Sequence, residues 1–487
     1  MSVFKKSILG VKYNAIFNTL INIVQFTVTI VAARMLNEND FSILGILVPI
    51  IAAMYLLAEM GLSTAIIQSK EENIAPYASS LMVVSIWLGS LIGILFFAFR
   101  NYIADFYEQP EIANAILILC FIVIAKTYSS VISALAIRNL DFEVEAKARF
   151  YSSAVTCCIT LVGLLIYKSY YFIIMSYLLI PISSALYIKS KLEYTNIKFY
   201  FDLEKYKKIS NFSTKILFSN LIFFISRSGI GLFAAKIFSP TVYGNYYLAN
   251  QVSNYPRTLF NGVINNVVMS SLSKIQSDNN KFRDKSLELG DLVTFITSPI
   301  SIFMIFASHE IFITVFGEKW SDAASIFGYL SIFIWFSMVG AIPALSLQSK
   351  GYAKQILNAN LLRVPLVILL LYIVYSNDYT MYQFVVGLLT SELVPILYLI
   401  FCYIKFLEVN FLTFCVKYFK STLYYVPSIF LSDLILSTLS LNQNFLGLIL
   451  NFALSFLIYI LIYRIFSHNN FTLKVLLFSS IIKEKKS

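Results

Sequence analysis

Apolar stretches long enough to cross a lipid bilayer recur from one end of this chain to the other, and no motif restricts its folds as strongly. A helix needs about 20 apolar residues to span the hydrocarbon. In lipid only helices and closed barrels satisfy every backbone N–H and C=O internally. Stretches of that length run over 13–33, 41–67, 79–99, 112–135, 150–167, 170–188 and 212–236, then over 244–270, 290–316, 324–347, 357–376, 381–404, 423–440 and 445–465. The expected fold is an all-α polytopic membrane protein with about 14 transmembrane helices. Of the 487 residues 58% are hydrophobic and 13% charged, about half the charged share of a soluble domain, so polar surface is too scarce to cover a water-facing globule.

The basic residues give these spans a direction. With the N-terminus in the cytoplasm, 29 of the 37 Lys and Arg residues fall inside, Arg363, Lys417 and Lys420 among them. Five fall outside: Arg34, Arg100, Lys168, Lys236 and Lys319. That asymmetry follows the positive-inside rule, and one miscounted span would scramble it. It predicts cytoplasmic N- and C-termini in a cell (inner, cytoplasmic) membrane. The first span is expected to be retained, because no A-x-A-like cleavage site ends it. A net charge of +11 is then matched by anionic membrane lipids. No nucleic-acid partner is expected, since no basic stripe outside the spans is interleaved with stacking aromatics.

Catalytic and metal-binding patterns are missing. Cys120, Cys157, Cys158, Cys402 and Cys415 lie in or beside apolar stretches without a CxxC, and His309 and His468 are far apart, so neither metal nor other cofactor is expected. No Walker loop, HExxH or GxSxG occurs, and the longest polar loop, about 189–211, is too short for a catalytic domain. The chain reads as a non-enzyme.

An internal repeat organises the spans. Ala32-Ala33-Arg34-Met35-Leu36-Asn37-Glu38-Asn39-Asp40-Phe41-Ser42 is echoed 202 residues later by Ala234-Ala235-Lys236-Ile237-Phe238-Ser239-Pro240-Thr241-Val242-Tyr243-Gly244. Phe106-Tyr107-Glu108-Gln109-Pro110 and Phe316-Gly317-Glu318-Lys319-Trp320 correspond at 210, and Arg138-Asn139-Leu140 and Lys350-Gly351-Tyr352 at 212. The offset covers six spans, an even number, so the halves enter the membrane in the same direction. Such parallel repeats place a substrate path at their interface. The expected organisation is a six-helix lobe over 1–200, a second over 201–410, and two extra helices with a basic tail over 411–487.

Within the spans lie three cations, Lys126, Arg227 and Arg257, and four acids, Glu59, Asp291, Glu392 and Asp433. A charge at the bilayer centre is expensive and is normally paired, snorkelled to an interface or used. None of the three cations has an acid at i±3 or i±4 on its own helix. Surplus buried positive charge suits an anionic substrate, and a guanidinium grips phosphate with a planar fork of donors. Eight of the eleven prolines, Pro49 and Pro299 among them, lie in or at the edges of spans. Each removes a helix hydrogen bond, and the freed carbonyl needs a neighbour or a cavity to satisfy it.

Several segments together resemble a known family. They are Ala33-Arg34-Met35-Leu36 followed by Asp40-Phe41, Gly61-Leu62-Ser63-Thr64-Ala65-Ile66-Ile67-Gln68, and Ile103-Ala104-Asp105-Phe106-Tyr107. Further on come Arg138-Asn139-Leu140-Asp141-Phe142, Phe238-Ser239-Pro240 with Tyr243-Gly244, and Gly317-Glu318-Lys319-Trp320. Their order and spacing resemble the Wzx-type polysaccharide biosynthesis (O-antigen) flippases of the multidrug/oligosaccharidyl-lipid/polysaccharide exporter superfamily. Ser42 stands where that family usually has Gly. The resemblance implies two six-helix lobes around a central cavity, and a cargo of oligosaccharide repeat unit on polyprenyl diphosphate, moved from the inner to the outer leaflet. Lys126, Arg227 and Arg257 are then the substrate-binding candidates. Alternatives are an ion-coupled small-molecule or drug exporter of the same superfamily, or a membrane glycan polymerase, which would be expected to carry a large outer loop with catalytic Arg or His. Without a nucleotide site, the work comes from an H+ or Na+ gradient, from the membrane potential, or from a glycan polymerase partner that consumes the product outside. Glu59 and Glu392 are the carboxylates placed to couple an ion.

Overall fold

A computed structural model describes residues 3–69, 71, 73–195, 197, 199–206, 220–221, 224, 228–273, 275–377, 379–438 and 445–467, and every long element among them is a helix. Cα packing divides the chain into two compact units, Met1–Leu248 and Ala249–Ser487. The first contains α1 (Val3–Met35), α2 (Glu38–Glu59), α3 (Leu62–Gln68), α4 (Ala75–Ala98), α5 (Arg100–Tyr107), α6 (Glu111–Arg138), α7 (Phe142–Tyr167), α8 (Tyr171–Lys191), α9 (Ile230–Ile237) and the start of α10 (Pro240–Ser273). The second completes α10 and adds α11 (Asn279–Phe306), α12 (Ser308–Phe316), α13 (Ser321–Ser349), α14 (Ala353–Ser376), α15 (Met381–Phe406), α16 (Phe411–Thr438) and α17 (Phe445–Phe466).

Eleven helices among the described residues are long and apolar enough to cross a membrane, and each falls on an expected stretch. Of the other three stretches, 244–270 forms most of α10, 423–440 lies largely in α16, and 212–236 falls mostly outside the described residues. Two expected spans are interrupted. The 41–67 stretch breaks after Glu59, where Met60 (φ 49°) and Gly61 (φ 75°) both take the left-handed conformation. The 290–316 stretch breaks at Ala307 between α11 and α12.

Local chemistry sets several helix ends. Asn37 Oδ1 accepts the Asp40 N–H at 2.8 Å while Asp40 Oδ2 accepts the Asn37 N–H at 3.0 Å, a reciprocal capping box that starts α2. At the α2–α3 break the Glu59 carboxylate accepts the N–H of Gly61 at 2.8 Å and of Ser63 at 2.6 Å. One side chain thus satisfies two donors that a helix start leaves open.

Packing follows membrane rather than water logic. Large apolar side chains such as Trp87 and Ile94 face outward, whereas Ser80, Ser85 and Thr127 are fully buried. Small residues let helices approach closely where lipid supplies no hydrophobic drive between them. In the first unit α6 packs against α2, α3, α4 and α8, and α7 joins α1 to α8. In the second, α11 packs against α13 and α16, and α17 lies on α16.

Two prolines open carbonyls that tyrosines close. Pro49 supplies no N–H to the Gly45 carbonyl four residues back, and the Tyr243 hydroxyl donates to that oxygen at 3.0 Å. Pro299 likewise frees the Phe295 carbonyl, and the Tyr459 hydroxyl of α17 donates to it at 3.1 Å. Each unit also carries a cation latch. Arg138 donates to the carbonyls of Ile66 (3.0 Å), Ser69 and Glu71 (2.5 Å). Lys350 donates to the Gln276 carbonyl at 2.5 Å and Asn279 Oδ1 at 2.6 Å. The acceptor positions 66 and 276, and 69 and 279, are each 210 residues apart, an offset already present between the sequence echoes.

Candidate functional site

In the first unit, Lys126 stands near the middle of α6, about 18 Å by helical rise from its C-terminal end. Its ammonium lies 4.5 Å from the centre of the Tyr55 ring on α2. A cation over an aromatic face gains about 0.5–2 kcal/mol, less than an ion pair would offset at this depth. Among the described residues no carboxylate oxygen lies within 4 Å of it, so its charge has no internal counter-ion there. Glu59 stands one turn beyond Tyr55 on α2 and is buried, with its two oxygens taken up by the N–H groups of Gly61 and Ser63. Arg227 lies outside the described residues.

The second unit holds the other two candidates. Arg257, midway along α10, donates to Asn254 Oδ1 and lies with its guanidinium carbon 5.1 Å from the centre of the Phe333 ring. Glu392, near the middle of α15, forms an ion pair with Arg363 of α14. The charge pattern counts Arg363 on the cytoplasmic side, whereas the structure places it ten residues inside α14. An i±4 search cannot find this pair, because its members come from adjacent helices.

The second unit also has a buried polar seam along α11, α16 and α17. Asp291 accepts from the Tyr463 hydroxyl at 3.4 Å, and Lys420 lies 4.8 Å from the centre of the Tyr463 ring. Tyr425 and Ser455 share a hydrogen bond of 2.9 Å, and Ser432 donates to Asn451 at 2.6 Å. The signal for it is present in the sequence, as Tyr418 and Tyr425 seven residues apart in α16 and Tyr459 and Tyr463 four apart in α17, in spans where Phe or Leu would do. Outside the spans, Lys236 and Glu108 form an ion pair at 2.8 Å, and that ammonium holds the Glu108 carboxyl below the usual carboxylate range.

Apolar helices in this number, with buried charge at mid-depth, define a multi-pass membrane protein. Its fold is similar to that of "Lipid II flippase MurJ, inward closed conformation", with a TM-score of 0.74 at 16% identity over 94% of this chain and 99% of that one. It is also similar to a MATE structure in complex with MaD5, with a TM-score of 0.54 at 13% identity over 82% and 96%. Residues 31–325 match the family described as "Polysaccharide biosynthesis protein", and the chain belongs to it. Among curated relatives it is 25% identical over 326 residues to an "Uncharacterized membrane protein in cps region" of Klebsiella pneumoniae, a match covering 66% of each chain. It is 26% identical over 342 residues to "Lipopolysaccharide biosynthesis protein WzxC" of Escherichia coli K12, covering 68% of each. It is 22% identical over 332 residues to "Teichuronic acid biosynthesis protein TuaB" of Bacillus subtilis 168, also covering 68% of each. The matches thus span about two thirds of these relatives' lengths.

Proposed function

We propose that this protein is a flippase. It moves a polyprenyl-diphosphate-linked oligosaccharide repeat unit from the inner to the outer leaflet of the cytoplasmic membrane, for synthesis of a surface polysaccharide such as O-antigen, capsule or exopolysaccharide. Lys126 carries the reading: a half-buried ammonium at mid-span, over Tyr55, with no carboxylate in reach among the described residues. Holding such a charge at the bilayer centre costs about 2.5–3.5 kcal/mol on insertion scales, and a passing diphosphate offsets that cost. Membership of a polysaccharide biosynthesis family supplies the class of cargo. The names of the curated relatives, lipopolysaccharide and teichuronic acid biosynthesis proteins, agree with it.

Lys126, Arg227 and Arg257 bind the diphosphate and any acidic sugars. The repeats 1–200 and 201–410 act as the two lobes, 411–487 is appended to them, and both termini are cytoplasmic. H+ or Na+ coupling through Glu59 or Glu392, or a polymerase that consumes the product outside, supplies the work.

The test is the location of lipid-linked single repeats in cells lacking the protein. Accumulation on the inner leaflet supports a flippase, accumulation on the outer leaflet assigns the chain to polymerisation, and altered drug efflux without any glycan defect assigns it to drug export. Lys126→Ala, Arg227→Ala and Arg257→Ala are each expected to abolish surface polysaccharide at native protein levels. Normal polysaccharide in these variants overturns the site.

A further inference from the structure

The start of the second repeat lies against the start of the first at a contact that neither the motifs nor the cargo-binding residues account for. At its centre the Tyr243 hydroxyl fills the Gly45 carbonyl that Pro49 leaves open, at 3.0 Å and buried. Beside it Gly244 approaches the α2 backbone so closely that a Cβ there would stand 1.8 Å from the Glu38 carbonyl oxygen. Toward the surface Thr241 Oγ1 donates to Asn39 Oδ1 at 3.2 Å. These two residues are 202 apart and occupy the same position in the two echoes. At the edge stands the Lys236–Glu108 ion pair, 2.8 Å long, with side chains 36% and 78% exposed.

We propose that this contact is the outer latch of the transport path, and that Tyr243 must leave the Gly45 carbonyl before the path opens outward. The inference rests on the flippase reading and on the orientation that places Arg34 and Lys236 outside.

Three observations carry it. The polar pairs at the rim are of the exposed kind that water replaces at little cost. The central hydrogen bond exchanges one hydroxyl for another, because a carbonyl facing an opened, wet seam bonds to water instead of to tyrosine. Closure is therefore specific without being permanent. The other tyrosine plug supplies the contrast. Tyr459 meets the Phe295 carbonyl within a cluster formed by α11, α16 and α17, where Phe295, Tyr425 and Tyr463 ring it and no segment of the first echo takes part.

Asn39→Cys with Thr241→Cys, in the full-length protein in native membranes, tests the latch, with the single variants as controls for the five native cysteines. Copper–phenanthroline oxidation is expected to form the cross-link in the double variant alone. Surface polysaccharide should then fall at least about tenfold and recover on reduction with dithiothreitol. Adding Tyr243→Phe should lower the initial cross-linking rate by about 5- to 30-fold, the range that accompanies loss of one buried hydrogen bond. Undiminished export by cross-linked protein overturns the latch, and so does a cross-linking rate indifferent to Tyr243→Phe. Cross-linking reads the seam without reference to cargo. Outer-leaflet accumulation of single repeats in cells lacking the protein would therefore sink the flippase reading while leaving the behaviour of the seam decided.

Discussion

Lys126 and Arg363 are both cations at mid-span, but one faces an aromatic ring and the other a carboxylate. That difference separates a charge available to a ligand from one that is already neutralised. Replacing Glu392 with Gln removes the carboxylate from Arg363; breaking a fully buried ion pair from one side costs about 3–5 kcal/mol, and this half-buried pair lies below that figure. Glu392→Gln is therefore expected to lower the amount of protein in the membrane, and Arg363→Gln with Glu392→Gln to restore it. Transport by the restored double variant in proteoliposomes then decides the role of Glu392. A response to an imposed pH or sodium gradient that survives the double change removes Glu392 as the coupling carboxylate. Glu59 is in a different position, since two backbone N–H groups occupy its oxygens. Glu59→Gln leaves one of those donors without an acceptor and is expected to cost about 1 kcal/mol of stability while the gradient response persists. Loss of that response at native stability would return Glu59 to the coupling role.

Among the helices, the prolines and the tyrosines are one device. A proline in a membrane helix leaves a carbonyl that lipid cannot satisfy, so its partner has to come from another helix. Tyr459 of α17 does this for α11, which fastens the last helix to the centre of the second unit. Tyr459→Phe is expected to destabilise the protein by about 1–3 kcal/mol, the cost of orphaning a buried acceptor. Pro299→Ala supplies an N–H to the same carbonyl, so Tyr459→Phe should cost little in that background. A double-mutant cycle on thermal stability in detergent measures the coupling, and additive effects would show that the hydroxyl does not serve the Pro299 gap. The cation latches act on the same scale. Arg138→Ala releases three carbonyl contacts, one in α3 and two in the loop after it, and faster proteolysis in 66–74 is the expected readout.

At the scale of the molecule, the two C-terminal helices α16 and α17 share a buried core with α11. Truncation after residue 410 removes Tyr425, Tyr459 and Tyr463 from that core and leaves Asp291 without the Tyr463 hydroxyl. The truncated chain is expected to fall well below native abundance in the membrane, by immunoblot. Native abundance would show the pair to be dispensable for folding. The division of the chain within α10, rather than near residue 200, has a local cause as well. Residues 236–244 pack on Glu38, Asn39, Gly45 and Glu108, so this segment belongs to the first compact unit.

Hydrophobic length and charge asymmetry are local properties of a chain in lipid, and for that reason the sequence by itself determined the helical class, eleven of the spans and the presence of mid-span charge. The echoed loops at an offset near 210 were legible too, and the latches of Arg138 and Lys350 hold acceptors at that same offset. Helix breaks depend on one or two residues, so the interruption after Glu59 was hidden inside an unbroken apolar run. Partners on other helices were hidden entirely. Arg363 with Glu392, Tyr459 with the Phe295 carbonyl and Tyr243 with the Gly45 carbonyl join residues 29, 164 and 198 positions apart. Only tertiary structure decides such pairings, because hydrogen bonds and ion pairs act over a few ångströms of space and carry no periodicity along the chain.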